Sequence, residues 1–466
     1  MEQKNSETTD QGFWWLPSSP ETQLVGTITF APRSGLKLDL VGSLIAVEKT
    51  PVSWGNFNVW GITVRGKPVS LIKAYQSSLQ THMPGSPTSR IEASRGIIGG
   101  HYQSIEDVAV HTLNVEFDYL TAWAGQTGIS QVHDNQNKSS QIVVAPPSSI
   151  ALGDFNGIQI ELVPWVNHSF SREKVTLQDR CGLRLKSEHA RSFLDFEPLI
   201  SSFRTLLTFA VGEPAHTGRV VGHTEDKITE IQGSPLWREV EIIRELKVLS
   251  TKRKIQSENM LFTLRDLLPT PASAFDRFRG TEQKLKAVFD LFFPTYFYPD
   301  MAPPQQFLNL VHATEAFHRA TVGGQYQDDQ QYENGLKKRL QKALPADLPE
   351  EFRQSLDTKF KFLHQYSLRK RLRDILRKFE SLVAPYIPDR GVFVESVAEA
   401  RNSLVHASAD RLLPNYIELW KLAQQLGLIL EIALLSEIGF EKDRVRSVVG
   451  RGRRAQLIRC NIIDLT

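Results

Sequence analysis

Cysteine is nearly absent from this 466-residue chain, which has only Cys181 and Cys460. Two cysteines cannot build a disulfide framework, so the stapled secreted scaffolds are excluded and a reducing setting is expected. An uninterrupted apolar run of membrane-spanning length is also missing. The most apolar stretch, residues 415–440, is broken by Gln424, Gln425, Glu431 and Glu437, and is expected as a buried helix with no membrane partner. The opening residues, MEQKNSETTDQG, lack the apolar segment of a secretory signal, so a cytoplasmic location is expected. There is no GxxxxGK[ST], no GxGxxG and no nucleophile elbow around a Ser or Cys. Nucleotide triphosphatases and acyl-transfer enzymes are therefore not expected. No fixed-period repeat or low-complexity segment occurs.

What is present is an ordinary globular balance, 41% hydrophobic and 23% charged, with a length that allows two or three domains. The net charge of +3 is unevenly distributed. Residues 1–300 carry 30 basic and 32 acidic side chains, whereas residues 301–466 carry 25 and 20, which favours an anionic partner for the back of the chain.

The front reads as strands. Thr22–Phe30 and Leu36–Leu44 alternate apolar and polar residues around a turn-prone Pro32-Arg33-Ser34-Gly35, and Val59–Arg65 and Val69–Ile72 flank Gly66-Lys67-Pro68 as a hairpin. Further β-rich runs lie at 108–119, 141–144, 158–163 and 175–185, with one helix over about 193–209. Residues 235–270 fit strand or helix equally. After the proline-rich Phe293–Pro304 the pattern is helical: 305–321, 333–344, 350–382 as one helix or two, 393–407 and 415–438. The fold class expected is α+β multidomain, a sandwich-like β-rich domain followed by an all-α helical bundle. The expected divisions are 12–270, a helical linker 271–300, the bundle 301–450 and a basic tail 451–466.

The chemistry concentrates in Arg401-Asn402-Ser403-Leu404-Val405-His406. At about 100° per residue, Asn402 and His406 share a helix face, and Arg401 lies roughly 140° from His406, within reach of a long side chain. Val394, Val397, Leu404 and Val405 are expected to point inward. Cleavage of RNA by its own 2′-hydroxyl needs a base, an acid and cationic donors on the phosphorane. Imidazole, titrating near ~6.5, serves as base or acid, and guanidinium forks onto phosphate oxygens. Asn402 would orient the imidazole or donate to phosphate. One motif supplies one His, so a two-fold dimer is expected to complete the site. The spacing alone is weak, since Arg95–His101 and Arg184–His189 match it too. On pattern alone, a solvated surface helix fits this stretch as well.

Other groupings compete. His312, Glu315 and His318 form HxxExxH, but steps of three spread them over about 120°, which is poor for one metal ion. No metal or cofactor is expected. His133-Asp134 has no companion ligands. Arg369, Arg371, Arg373 and Arg377, with Lys370 and Lys378, form a basic cluster that either binds RNA phosphates or is a solvated helix face. The run Lys442–Arg459 is a second such cluster. Trp14, Trp15, Trp54 and Trp60 fit a core or the rim of a recognition surface.

The last ~165 residues resemble a HEPN domain, a helical family whose ribonucleases carry an Arg, four to six residues and then a His, often with a polar residue after the Arg. Phe307–Arg319 (FLNLVHATEAFHR) resembles the opening helix of Apea-like HEPN domains. The front, from Phe13-Trp14-Trp15-Leu16-Pro17 into the Gly26 strand, is similar to the β-rich domain of ApeA-type bacterial anti-phage proteins. The resemblance implies a metal-independent endoribonuclease that acts on RNA as a homodimer or higher oligomer and is held quiet until a phage-derived trigger arrives. It implies Arg401 and His406 as the catalytic pair, Asn402 in support, and an acidic residue on the first helix, Glu315. Some HEPN domains have lost the motif and only bind or scaffold, so an interaction protein whose helical domain merely dimerises is the competing class.

Overall fold

The computed structural model describes residues 8–31, 35–45, 56–134, 139–231, 234–244, 253–405 and 415–460. The chain divides into two compact units, Met1–Ser257 with Phe262–Asp276, and Glu258–Leu261 with Arg277–Thr466.

The first unit holds fourteen described strands: β1 (Thr8–Leu16), β2 (Ser19–Ala31), β3 (Gly35–Val41), β4 (Phe57–Thr63), β5 (Pro68–Gln80), β6 (Thr88–Ile98), β7 (Ala109–Phe117), β8 (Ile129–Asp134), β9 (Ser139–Val144), β10 (Ile150–Phe155), β11 (Ile158–Phe170), β12 (Val175–Ser192), β13 (Thr217–Ile231) and β14 (Ser234–Arg244). Twelve form one sheet in the order β10-β11-β12-β7-β13-β14-β6-β3-β2-β1-β4-β5, and β5 returns to pair with β6. The strands β6-β3-β2-β1-β4-β5 therefore close into a ring. Alternation decides which side chains fill it. Leu36, Leu38 and Leu40 of β3, Ile91 and Ala93 of β6, and Val69 and Leu71 of β5 form its core around Trp14. The Trp14 indole lies on the backbone of Gly61, where a Cβ would come within 2.2 Å of the ring.

The open part of the sheet is covered by α1 (Phe193–Val211), whose N-terminus is capped by Ser192 Oγ accepting from the Leu194 amide. Phe203 of α1 packs against Phe117 of β7 at 5.3 Å between ring centroids. The β-rich region followed by helices is the expected class. Its core is one sheet partly closed on itself and partly covered by a helix. Alternating sequences serve that arrangement and two facing sheets equally. The ambiguous 235–270 stretch splits, becoming β14 at its start and, in its described later part, short helical turns at Ser257–Asn259 and Leu264–Leu267 with Met260, Leu261 and Phe262 buried between them.

The second unit is helical. Its principal helices are α2 (Lys286–Phe292), α3 (Pro303–Thr321), α4 (Glu350–Phe360), α5 (Leu368–Lys378), α6 (Arg390–Val405), α7 (Tyr416–Glu437), α8 (Lys442–Arg451) and α9 (Arg453–Arg459). α7 is the one described helix long and apolar enough to cross a membrane, and most of it is buried inside this unit. The 350–382 pattern is broken between α4 and α5. There the Tyr326 and Tyr366 amides donate to His364 O and Gly324 O, and Ser367 Oγ caps α5. Residues 451–466 were expected as a basic tail. Their described part, residues 451–460, is the end of α8 followed by α9, with Arg454 buried because a partner for its charge waits in the middle of α7.

Candidate functional site

α6 starts where Asp389 Oδ1 accepts from the Val392 amide, and it buries Phe393, Val394, Val397, Ala398 and Ala400. Arg401 follows Val397 by four residues, about 40° around the axis, so its stem lies along the buried stripe. Arg401 Nη1 donates to Asn402 Oδ1 at 3.2 Å. Its Nε is buried with no hydrogen-bond partner. Among the described residues no carboxylate forms an ion pair with this guanidinium. A buried donor left unmade costs about 1–3 kcal/mol, and a catalytic role or a bound water or ion is among the explanations for one. Val405, expected to point inward, is 48% exposed; it sits at the end of α6, past the part that packs. His406 lies outside the described residues.

The other expected residues are distributed differently. Glu315 is half-buried on α3 and makes no hydrogen bond or ion pair among the described residues. Its charge acts on Arg371, where it opposes the downward shift caused chiefly by burial. Arg371 was expected to face RNA. It is instead buried, donating from Nε to Tyr366 O at 3.1 Å and from Nη2 to Gly324 O at 3.2 Å. A helix turns 200° over two residues, so Arg369 and Arg373 leave on the opposite side. Both donate to Glu395 of α6, at 2.5 Å and 3.0 Å, and so tie α5 to α6. Arg377 is exposed. The expected row of four phosphate-binding arginines is thus not one surface.

The HxxExxH residues also separate. His312 is exposed, while His318 is fully buried, with Nε2 3.2 Å from Asp374 Oδ2 and Nδ1 3.0 Å from Gly323 O and 3.4 Å from Arg371 Nη1. Burial pushes the His318 imidazole below its ordinary value of 6.5. In the first unit, His133 pairs with Ser140 Oγ at 2.9 Å in the β8–β9 hairpin. The two other Arg–His spacings begin at structural arginines, Arg95 beside Glu197 and Arg184 donating to Asn114 Oδ1. Trp14 and Trp15 are core, Trp60 stacks on His101 at 5.1 Å, and Trp54 lies outside the described residues.

Sequence reasoning missed a buried network in the second unit. Arg454 Nε donates to Glu431 Oε1 at 2.8 Å, Tyr296 OH donates to the same oxygen at 2.7 Å, and Arg454 Nη1 donates to Gln424 Oε1 at 3.0 Å. The available signal was a glutamate in the middle of an apolar helix, one turn after Gly427. That glycine leaves room for the guanidinium, since a Cβ there would lie 2.5 Å from Arg454 Nη1.

A family model described as ApeA N-terminal domain 1 matches residues 11–271, more than half of the chain. The chain belongs to the ApeA family. A second model, described as Apea-like HEPN, matches residues 308–444 and takes in Glu315, Arg401 and Asn402. The two matches in this order give the ApeA-type architecture, that of HEPN-containing anti-phage proteins. HEPN domains generally act as ribonucleases and dimerise. Comparisons with curated proteins and with solved structures found no match.

Proposed function

We propose that this ApeA-family chain is a metal-independent endoribonuclease of anti-phage defence, cutting RNA through attack by the 2′-hydroxyl. The observation that carries the reading is the unpaired guanidinium of Arg401, with Nε buried and no carboxylate neutralising it among the described residues. A cation with no ion pair among the described residues, on the helix of a HEPN motif, is suited to an anionic phosphorane. Asn402 Oδ1 accepts from Arg401 Nη1, which holds the fork in one orientation. His406 is the proton-transfer group, and a second copy of the chain brings the second imidazole to a shared groove. Glu315 is a secondary candidate for the catalytic set, and Arg369, Arg373 and Arg377 are secondary candidates for contacts with RNA. The β-rich unit is the sensor that restrains cutting in the cytoplasm until a phage-derived trigger binds. No cofactor enters this chemistry.

The test is incubation of the purified full-length protein with total RNA. Wild type is expected to leave 2′,3′-cyclic phosphate ends, with EDTA present or absent, while Arg401→Ala and His406→Ala fold and dimerise but do not cut. Undiminished cleavage by His406→Ala sinks the assignment. A second reading, an interaction protein, is favoured by the hairpin over residues 329–363, where Leu336, Phe352, Phe362 and Leu363 are all more than 40% exposed. Under that reading all three proteins leave RNA intact.

A further inference from the structure

On the side of α6 away from Arg401 the helical unit contains a cavity of about 520 Å³. Glu399 and Ser403 of α6 line it together with Glu418, Trp420, Lys421 and Gln424 of α7, and α9 closes one wall. Two carboxylates against one lysine make it unsuited to a phosphate group. Trp420 is half-buried and offers part of its ring. Gln424 is only 5% exposed, and its Oε1 is taken by Arg454 Nη1 at 3.0 Å. Its Nε2 is therefore the group left to offer. The orientation is fixed from behind, because Arg454 is itself held by Glu431, and Glu431 by Tyr296. A buried ion pair adds little stability over apolar packing of the same shape. Here the chain of bonds ends at the amide of Gln424.

We propose that this cavity takes a guanine base of the RNA substrate, an inference that rests on the ribonuclease reading of Arg401. Guanine presents N1–H and N2–H donors beside the O6 acceptor on its Watson–Crick edge. A glutamate accepts from the two donors, and Gln424 Nε2 or Lys421 Nζ donates to O6. Uracil sets one donor between two acceptors, and adenine and cytosine place a ring acceptor where the carboxylate lies. Trp420 supplies the stacking face that sequence-specific recognition of unpaired bases uses. Ser403 and Arg401 are about 160° apart on α6 but only ~3 Å apart along its axis. Opposite faces of a helix are roughly 10 Å apart, so the base held here belongs to a nucleotide a few positions from the one that is cut, and the cavity sets where cleavage falls.

Calorimetric titration of GMP, AMP and UMP into the full-length protein tests this, alongside sequencing of the ends left on total RNA. Wild type should bind GMP at least roughly tenfold more tightly than AMP or UMP, the discrimination that one good bidentate base contact provides. Cleavage ends should carry a guanine at one fixed offset. The Glu399→Gln/Glu418→Gln double variant and Trp420→Ala should each lose the GMP preference and the guanine at that offset. The Gln substitutions keep side-chain shape and Trp420 is not core, so the variants do not all fail together by misfolding. RNA cut without a guanine offset, together with equal binding of the three nucleotides, overturns the base site and leaves the ribonuclease reading standing. GMP-selective binding by a protein that never cuts RNA supports the site and overturns the ribonuclease reading instead.

Discussion

Arg401 and Asn402 are consecutive residues whose side chains meet, Nη1 donating to Oδ1 across 3.2 Å, while the Arg401 Nε stays buried and unpaired. The amide holds the guanidinium without neutralising it, and this predicts a ranking of variants. Asn402→Asp converts a neutral contact into an ion pair that competes with phosphate, so it should slow RNA cleavage more than Asn402→Ala does. Arg401→Lys keeps the charge but loses the planar fork, and a loss of about 10²–10³ in rate is expected, as for removal of one transition-state donor. Initial rates on a defined RNA give the order, and Asn402→Asp cutting as fast as wild type contradicts it.

Local pattern made part of this legible in the sequence. Period-2 alternation marks Leu36, Leu38 and Leu40 as one face of a strand, and Arg401, four residues after Val397, is placed by helix arithmetic. What stayed hidden was long-range. Nothing local tells β1 to pair with β4 or β3 to pair with β6, the pairings that close the ring, or Arg454 to find Glu431 twenty-three residues away. Arg371 shows the limit most clearly. It has the same residue type as Arg369 and Arg373 and differs from them in pointing at two backbone carbonyls, that of Tyr366 just before its own helix and that of Gly324 in a distant turn.

His318 predicts a pH dependence of stability. Burial holds the folded imidazole below 6.5, so as pH falls the unfolded chain takes the proton first. The contribution is complete above 6.5 and is lost as pH drops toward the folded value. For Asp374 burial acts upward, but the hydrogen bonds and charges of Lys370 and His318 outweigh it and hold the carboxyl below 3.8. Its contribution is lost in a separate window below that value. Urea midpoints of wild type and His318→Gln should differ most at pH 7 and converge toward pH 5. A gap that widens on acidification would reverse the sign.

Trp14 and Gly61 make a second stability prediction, this one in the first unit. The indole is fully buried, and its Nε1 donates to Gly26 O at 3.3 Å, which fixes the ring over Gly61. A methyl at 61 would lie 2.2 Å from Trp14 Cε3, so Gly61→Ala overpacks the ring of strands and should cost about 1–3 kcal/mol. In a Trp14→Phe background the smaller ring relieves the clash, and the added cost of Gly61→Ala should shrink. A double-mutant cycle by urea unfolding reads that coupling, and strict additivity of the two substitutions would mean that they do not touch.

The Arg454–Glu431 pair separates stability from recognition. Glu431→Gln leaves a guanidinium deep in the helical unit without its counter-charge, and breaking a buried pair by removing one partner costs about 3–5 kcal/mol. Arg454 also lies over the Tyr296 ring at 5.0 Å, so that contact loosens as well. Replacing both partners, Glu431→Leu with Arg454→Met, removes the unpaired charge and should recover most of the lost stability. It cannot recover the bond from Arg454 to Gln424 Oε1. The double variant is therefore expected to melt near wild type while losing its preference for GMP over AMP, because the Gln424 amide is free to turn. If it instead keeps both wild-type stability and the GMP preference, the buried network does not position Gln424.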